Sequence, residues 1–154
     1  MLVNSIQFLN ILAYGFVVSQ PIFYLLAMSD TQKNMRPSSY IELRNLLHKN
    51  LNFSLRIVYF TTLFSSICWF FCAISVHSSF LIITATLALA TFIIDIFYLF
   101  TGDMPINKII QTWTPENYPA NWETYRKKWF RYYHRRQIAG LTGFVSLLLG
   151  AVFG

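Results

Sequence analysis

Four stretches of this chain are long and apolar enough to cross a lipid bilayer, and that limits the fold before anything else does. A hydrocarbon core about 30 Å thick takes roughly 20 helical residues. Residues 8–28 meet that need, interrupted only by Asn10, Ser19, Gln20 and Pro21. So do residues 57–76, residues 80–100 with the single charge Asp95, and the shorter uncharged run 138–154. A span in lipid must satisfy its backbone polar groups internally, so each run is expected to be a helix. The expected fold is all-α: an integral membrane four-helix bundle, one domain over residues 1–154. Because the last run is short, three spans with a re-entrant final segment is the competing layout.

Composition agrees. Charged residues make up 12% of the chain, against about 25% in soluble domains, too few to cover a globular surface. The 15 Phe, 9 Tyr and 4 Trp suit lipid-facing rings and interfacial anchors. A net charge of +6 would suggest nucleic acid in a soluble protein. Here the basic residues flank apolar spans, so membrane lipids, through their anionic headgroups, are the expected partners and nucleic acid is not. Cys68 and Cys72 share one apolar run and cannot form a secreted-type disulfide framework. Neither a basic n-region nor an A-x-A site marks the N-terminus, so no cleaved leader is expected.

The runs are joined by one short and two long connections. Residues 77–79 force an antiparallel hairpin between spans two and three. All twelve Lys and Arg lie in the long segments, 29–56 and 101–137. Four spans put both segments on one side, and the positive-inside rule makes that side the cytoplasm, with both termini outside. The long loops are expected to form amphipathic cytoplasmic helices. Ser39 and Glu42 read as a capping box for a helix over 39–52 that runs into span two. Asp103 and Pro105 suit a helix start, with Ile106, Ile109, Ile110 and Trp113 as its apolar stripe. From about Asn121 one helix runs into span four, with Trp122, Tyr125, Trp129, Tyr132 and Tyr133 along one side.

Small and polar residues recur inside the spans. Thr61, Ser65, Cys68, Cys72 and Ser75 fall on one face of span two. Gly140, Gly143, Leu147, Gly150 and Gly154 do so in span four, and Thr84, Ala88, Thr91 and Asp95 in span three. Small residues let membrane helices approach closely, so packing is their expected role; no metal ligand set accompanies the cysteines. Asp95 stands apart, because a carboxylate in mid-bilayer costs about 2.5–3.5 kcal/mol. It lies about 7–8 Å inside the span at 1.5 Å per residue and needs a partner. Arg136 and Arg56 are at similar depth. Either an ion pair locks the bundle there, or a polar group lines a pocket that Gln20 could join.

The second half of the chain carries a recognisable pattern. Met104-Pro105-Ile106-Asn107 follows the third span. A basic segment, Arg126-Lys127-Lys128-Trp129, comes about twenty residues later, with Arg136 seven beyond Trp129 and then the last helix. Over residues 95–154 this resembles the anthrone-oxygenase-like family of small four-span membrane proteins. The first half matches in span layout and in Gly15. The family has His or Asn about four residues after the Trp, where this chain has Tyr133, with His134 one further. The resemblance implies oxygenation of an anthrone to an anthraquinone without a metal or organic cofactor.

Such a reaction needs a base, a group to hold the resulting enolate, and a lipophilic substrate that yields electrons to O₂. Trp129 and Arg136 share one helical face about 10 Å apart along the axis, near where Asn107 emerges. Arg136 or Asn107 could hold the oxyanion. His134 is one candidate base, with an ordinary pKa near 6.5; buried Asp95 is the other. Trp129, Tyr133 and Trp113 could stack on a flat aromatic substrate. Plainer roles compete: interface anchors for the rings, lipid-phosphate contacts for Arg136 and Lys127, a helix cap for Asn107, simple exposure for His134. The two functions in contention are an oxygenase-like membrane enzyme acting on a lipophilic aromatic, and a non-enzymatic module that binds lipid or serves as an accessory subunit. Self-association is open; a transporter would depend on it, since one intramembrane charge offers little machinery for alternating access.

Overall fold

The protein is described here by a computed structural model covering residues 2–154. It is an all-α four-helix bundle, with no strand among the described residues. Each of its four rods, Leu2–Asn34, Pro37–Val76, Ser79–Ile110 and Trp122–Phe153, is long and apolar enough to cross a membrane. At 1.5 Å per residue, even a rod of 32 residues is about 48 Å long and exceeds the hydrocarbon core. The helices expected in the long loops are therefore continuations of the spans, stacked into a cap at one end of the bundle.

Two of the rods contain a wide turn with a proline close by in the adjoining helix. The first rod is α1 (Leu2–Phe23), a π-helical turn (Tyr24–Met28) and α2 (Ser29–Asn34). Pro21 lies inside α1 and cannot donate to the carbonyl four residues back. The third rod is α4 (Ser79–Tyr98), a second π-helical turn (Leu99–Asp103) and α5 (Met104–Ile110). Asp103 and Pro105 do fall where α5 begins, but it begins as a continuation of the π turn and not as a capped start. The N–H of Met104 reaches the Leu99 carbonyl, and the chain stays helical across the point where a start signal was read. The side chain of Asp103 caps nothing; it is spent on Arg136.

The second rod, α3 (Pro37–Val76), also corrects the sequence reading. Arg36 is extended and Pro37 opens the helix, because the residue before a proline is pushed out of the helical region and proline suits the first helical position. The Ser39/Glu42 capping box is not used. At the other end, His77 takes a left-handed conformation with φ 59°, and Ser78 accepts the Leu81 N–H at 3.4 Å. These two residues turn α3 tightly into α4. An irregular segment, 111–121, then leads to α6 (Trp122–Phe153).

In mid-bundle, Tyr14, Val17 and Val18 of α1 pack on Trp69 and Ala73 of α3, Ala85, Ala88 and Phe92 of α4, and Leu147 of α6. The packing face of α3 is Thr62, Ser66, Trp69 and Ala73, one residue round from the stripe Thr61, Ser65, Cys68, Cys72, Ser75. Asn10 bridges the two faces, donating to Ser66 Oγ at 2.8 Å and Ser65 Oγ at 3.0 Å. Phe53, Phe60, Phe64 and Phe71 of α3 stay exposed, a face that lipid covers.

α4 and α6 make the most extensive helix contact, as their small residues predict. A Cβ on Gly143 would run into the Tyr14 hydroxyl and Thr91 Oγ1, whereas one on Gly15 would meet only the Phe144 ring at 3.7 Å. Gly143→Ala should therefore destabilise the protein by about 1–3 kcal/mol, lowering its melting temperature in detergent by roughly 2–12 °C. Gly15→Ala should be neutral or stabilising by up to about 1 kcal/mol.

Candidate functional site

Most of the side chains selected from sequence gather where the bundle meets its cap. The centre is Arg136, carried by α6 into the apolar interior. Its Nε donates to Asp95 Oδ1 of α4 at 2.8 Å, and its Nη1 donates to Asp103 Oδ2 of the second π turn. Its Nη2 donates to the Tyr59 hydroxyl of α3 at 2.5 Å, and that hydroxyl donates to Asp95 Oδ2 at 2.8 Å. Arg136 retains 9% of its accessible surface, Asp95 2% and Asp103 1%. The guanidinium fork suits this role, since it presents several donors in fixed directions. A lysine ammonium could not span three acceptors on three elements with the same geometry.

A second group lies on the cap side. Arg44 of α3 donates from Nη2 to Asn107 Oδ1 of α5 and lies over the Trp129 ring, 4.0 Å from its centroid. Trp129 and Tyr133 of α6 stack at 4.6 Å with planes 15° apart. Tyr24, in the first π turn, meets Tyr133 edge-on at 4.6 Å and Trp129 at 5.8 Å. The Arg136 guanidinium lies 5.7 Å from the Tyr133 ring. The order Asn107, Arg44, Trp129, Tyr133, Arg136, Asp95 is thus continuous, two cationic groups joined through a pair of stacked rings. Cation–π contacts of this kind gain strength where they are desolvated.

A narrow crevice opens beside Arg136, between Gln20 and Pro21 of α1 and Tyr133, Gln137 and Gly140 of α6, with Asp95 and Tyr59 at its base. The space open to the centre of a water molecule is about 10 Å³, room for one water. Pockets that enclose drug-sized ligands run to about 300–1,000 Å³.

Two of the residues selected from sequence fall outside this array. His134 is exposed on the opposite side of α6 from Arg136, and its ring nitrogen meets Gln137 Oε1 at 3.3 Å. One residue of helical rotation from Tyr133 carries it off the buried face. Trp113 is buried, but in the cap, edge-on to Tyr125 at 5.2 Å. Its carbonyl accepts from Asn45 at 3.3 Å, and it does not line the crevice. Arg56 is exposed and leaves Asp95 to Arg136. Arg44, Asp103, Tyr59 and Tyr24 belong to the array but were not among those selected. Arg44 had a readable signal: it follows buried Tyr40 by four residues and buried Ile41 by three, on the inner face of the helix.

Removing one member of a buried ion pair strands the other, at about 3–5 kcal/mol. Arg136→Met should cost at least that much, since it strands two carboxylates. Adding Asp95→Asn and Asp103→Asn to Arg136→Met should recover part of the loss, as read from melting in detergent. Equal melting of Arg136→Met and the wild type would refute a structural role for the cluster.

Comparison of the chain with known protein families, curated proteins and solved structures returns no match.

Proposed function

We propose that the array around Arg136 serves a membrane-embedded, oxygenase-like reaction on a lipophilic aromatic ketone of anthrone type. The observation that carries this reading is the convergence of Asn107, Trp129, Tyr133, Arg136 and Asp95, which sequence alone only lists in order. The overall chemistry balances with O₂ as sole co-reactant: the ring CH₂ becomes C=O, one oxygen atom is kept and the other leaves as water. The protein supplies a place for proton removal and fixed positive charge for the oxyanion that forms, an electrostatic contribution that counts most where water is excluded.

Such a substrate would reach the site from the lipid through the crevice at Pro21. It must part α1 from α6, and Pro21 lowers the cost because the backbone hydrogen bond there is already missing. Trp129 and Tyr133 offer the aromatic surface on which a flat ring system stacks. The test is incubation of purified protein with anthrone under O₂, following quinone absorbance. A rate above buffer that falls at least tenfold in Asn107→Ala is expected. No rate above buffer removes this activity for that substrate.

The alternative, a non-enzymatic module, draws on a specific observation. Each nitrogen of Arg136 has a protein partner and its crevice has room for one water, the arrangement of a structural lock. It is favoured if no aromatic ligand copurifies and a phospholipid does in fixed stoichiometry.

We also assign the cap to the cytoplasmic side, from the positive-inside rule. With Cys68 and Cys72 replaced by alanine, Lys49→Cys should escape an impermeant maleimide in intact cells and react after permeabilisation. His77→Cys should react in intact cells. The reverse pattern inverts the topology.

A further inference from the structure

The two arginines of the array are not equivalent. Arg136 meets two carboxylates and a hydroxyl. Arg44 meets no carboxylate within 4.0 Å among the described residues; its contacts are a neutral amide and an indole face. Its Nε, buried, finds no partner within the protein. The same is true of Asp103 Oδ1, although the other oxygen of that carboxylate is bound to Arg136. Asp103 and Asn107 are four residues apart on consecutive turns, hence on one side of the helix. The contact between Arg44 and Asn107 therefore brings Arg44 to the side of the helix that carries Asp103. Asp95, by contrast, has both oxygens engaged. A buried charge that lacks its full set of partners is costly, and unsatisfied buried polar groups call for a reason.

We propose that Arg44 and Asp103, which do not line the crevice in its closed form, become the polar end of the ligand site once α1 parts from α6, with Asp103 Oδ1 taking a proton from the ligand and Arg44 Nε–H holding the oxygen left negative. The inference rests on the oxygenase-like reading for its substrate class, an aromatic ketone with an acidic C–H next to the ring system. The C–H bond breaks, its proton passes to Asp103 Oδ1, and the electron pair becomes an enolate whose charge sits on the former carbonyl oxygen. The net charge of the site does not change, since the carboxylate is neutralised as the enolate forms. That matters in a buried site, where a change of net charge would be expensive. Arg136 is then a positioning residue, holding Asp103 by its other oxygen, and Arg44 is the group that touches the oxyanion. Asp103 replaces His134 and Asp95 as the base.

The experiment uses a hydroxyanthraquinone whose hydroxyl is remote from its carbonyls, because the phenol and the phenolate differ in colour. The probe is titrated into purified full-length protein in detergent, one pH unit below the free phenol's pKa. Wild-type protein should bind it with the phenolate spectrum, the proton having passed to Asp103. Arg44→Gln and Asp103→Asn should each bind it, if they fold, as the phenol, and Arg44→Lys should be intermediate. A bound probe that keeps the phenol spectrum in the wild type, or a probe that does not bind, overturns the assignment without reference to any variant. A phenolate spectrum unchanged in Arg44→Gln does so as well. The anthrone assay separates the two claims: a shifted probe with no quinone formed leaves the polar site standing and removes the enzyme reading. Quinone formed at full rate by Arg44→Gln does the opposite.

Discussion

Everything at the cap end of this bundle depends on one guanidinium in an apolar interior. Arg136 ties α6 to α4 through Asp95, to the second π turn through Asp103, and to α3 through Tyr59. Charge in lipid is tolerated only when paired. The cluster therefore constrains the rotation and depth of three elements at once, more tightly than apolar packing would. The π turn brings a second carboxylate within reach: a regular helix ending near residue 100 would leave Asp103 in a loop. The glycines of α6 complete the arrangement by letting α4 come close enough for the pair to form.

The fold was legible because membrane spans declare themselves by length and apolarity, and a lone intramembrane carboxylate calls for a cation. Asp95 with Arg136 was one of two pairings the sequence left open, and the exposed position of Arg56 shows why it lost. What misled was local punctuation. Ser39 with Glu42, and Asp103 with Pro105, look like capped helix starts, but Pro37 opens α3, and α5 continues from a wide turn without a cap. The same limit applies to faces. Two faces one position apart in α3 have the same period, and only the tertiary packing decides which one turns inward.

The candidate site was legible in part for a related reason. Of the residues selected for their chemistry on α6, Trp129, Tyr133 and Arg136 lie on its buried face and His134 is one position off it. His134, attractive as an imidazole base, lies outside, while Tyr133, its neighbour, sits at the centre of the ring stack. Arg44 looked like one of twelve basic residues setting topology. Its phase relative to Tyr40 and Ile41 marks it as inward-facing, and an inward-facing arginine in an amphipathic helix is worth as much attention as a carboxylate in a span.

The contrast between Arg44 and Arg136 also bears on how, on the reading proposed above, one small bundle would be both stable and reactive. Stability asks that buried charges be partnered, and each nitrogen of Arg136 is. Reactivity asks that some buried groups keep a free valence, and Arg44 Nε and Asp103 Oδ1 do. Asp103 belongs to both sets, with one oxygen fixed by Arg136 and the other unengaged. A carboxylate held in this way keeps its direction without losing its capacity to accept a proton. On the reading proposed above, that division of labour between two oxygens of one residue would let Asp103 act as the base, and it follows from where the second π turn puts residue 103.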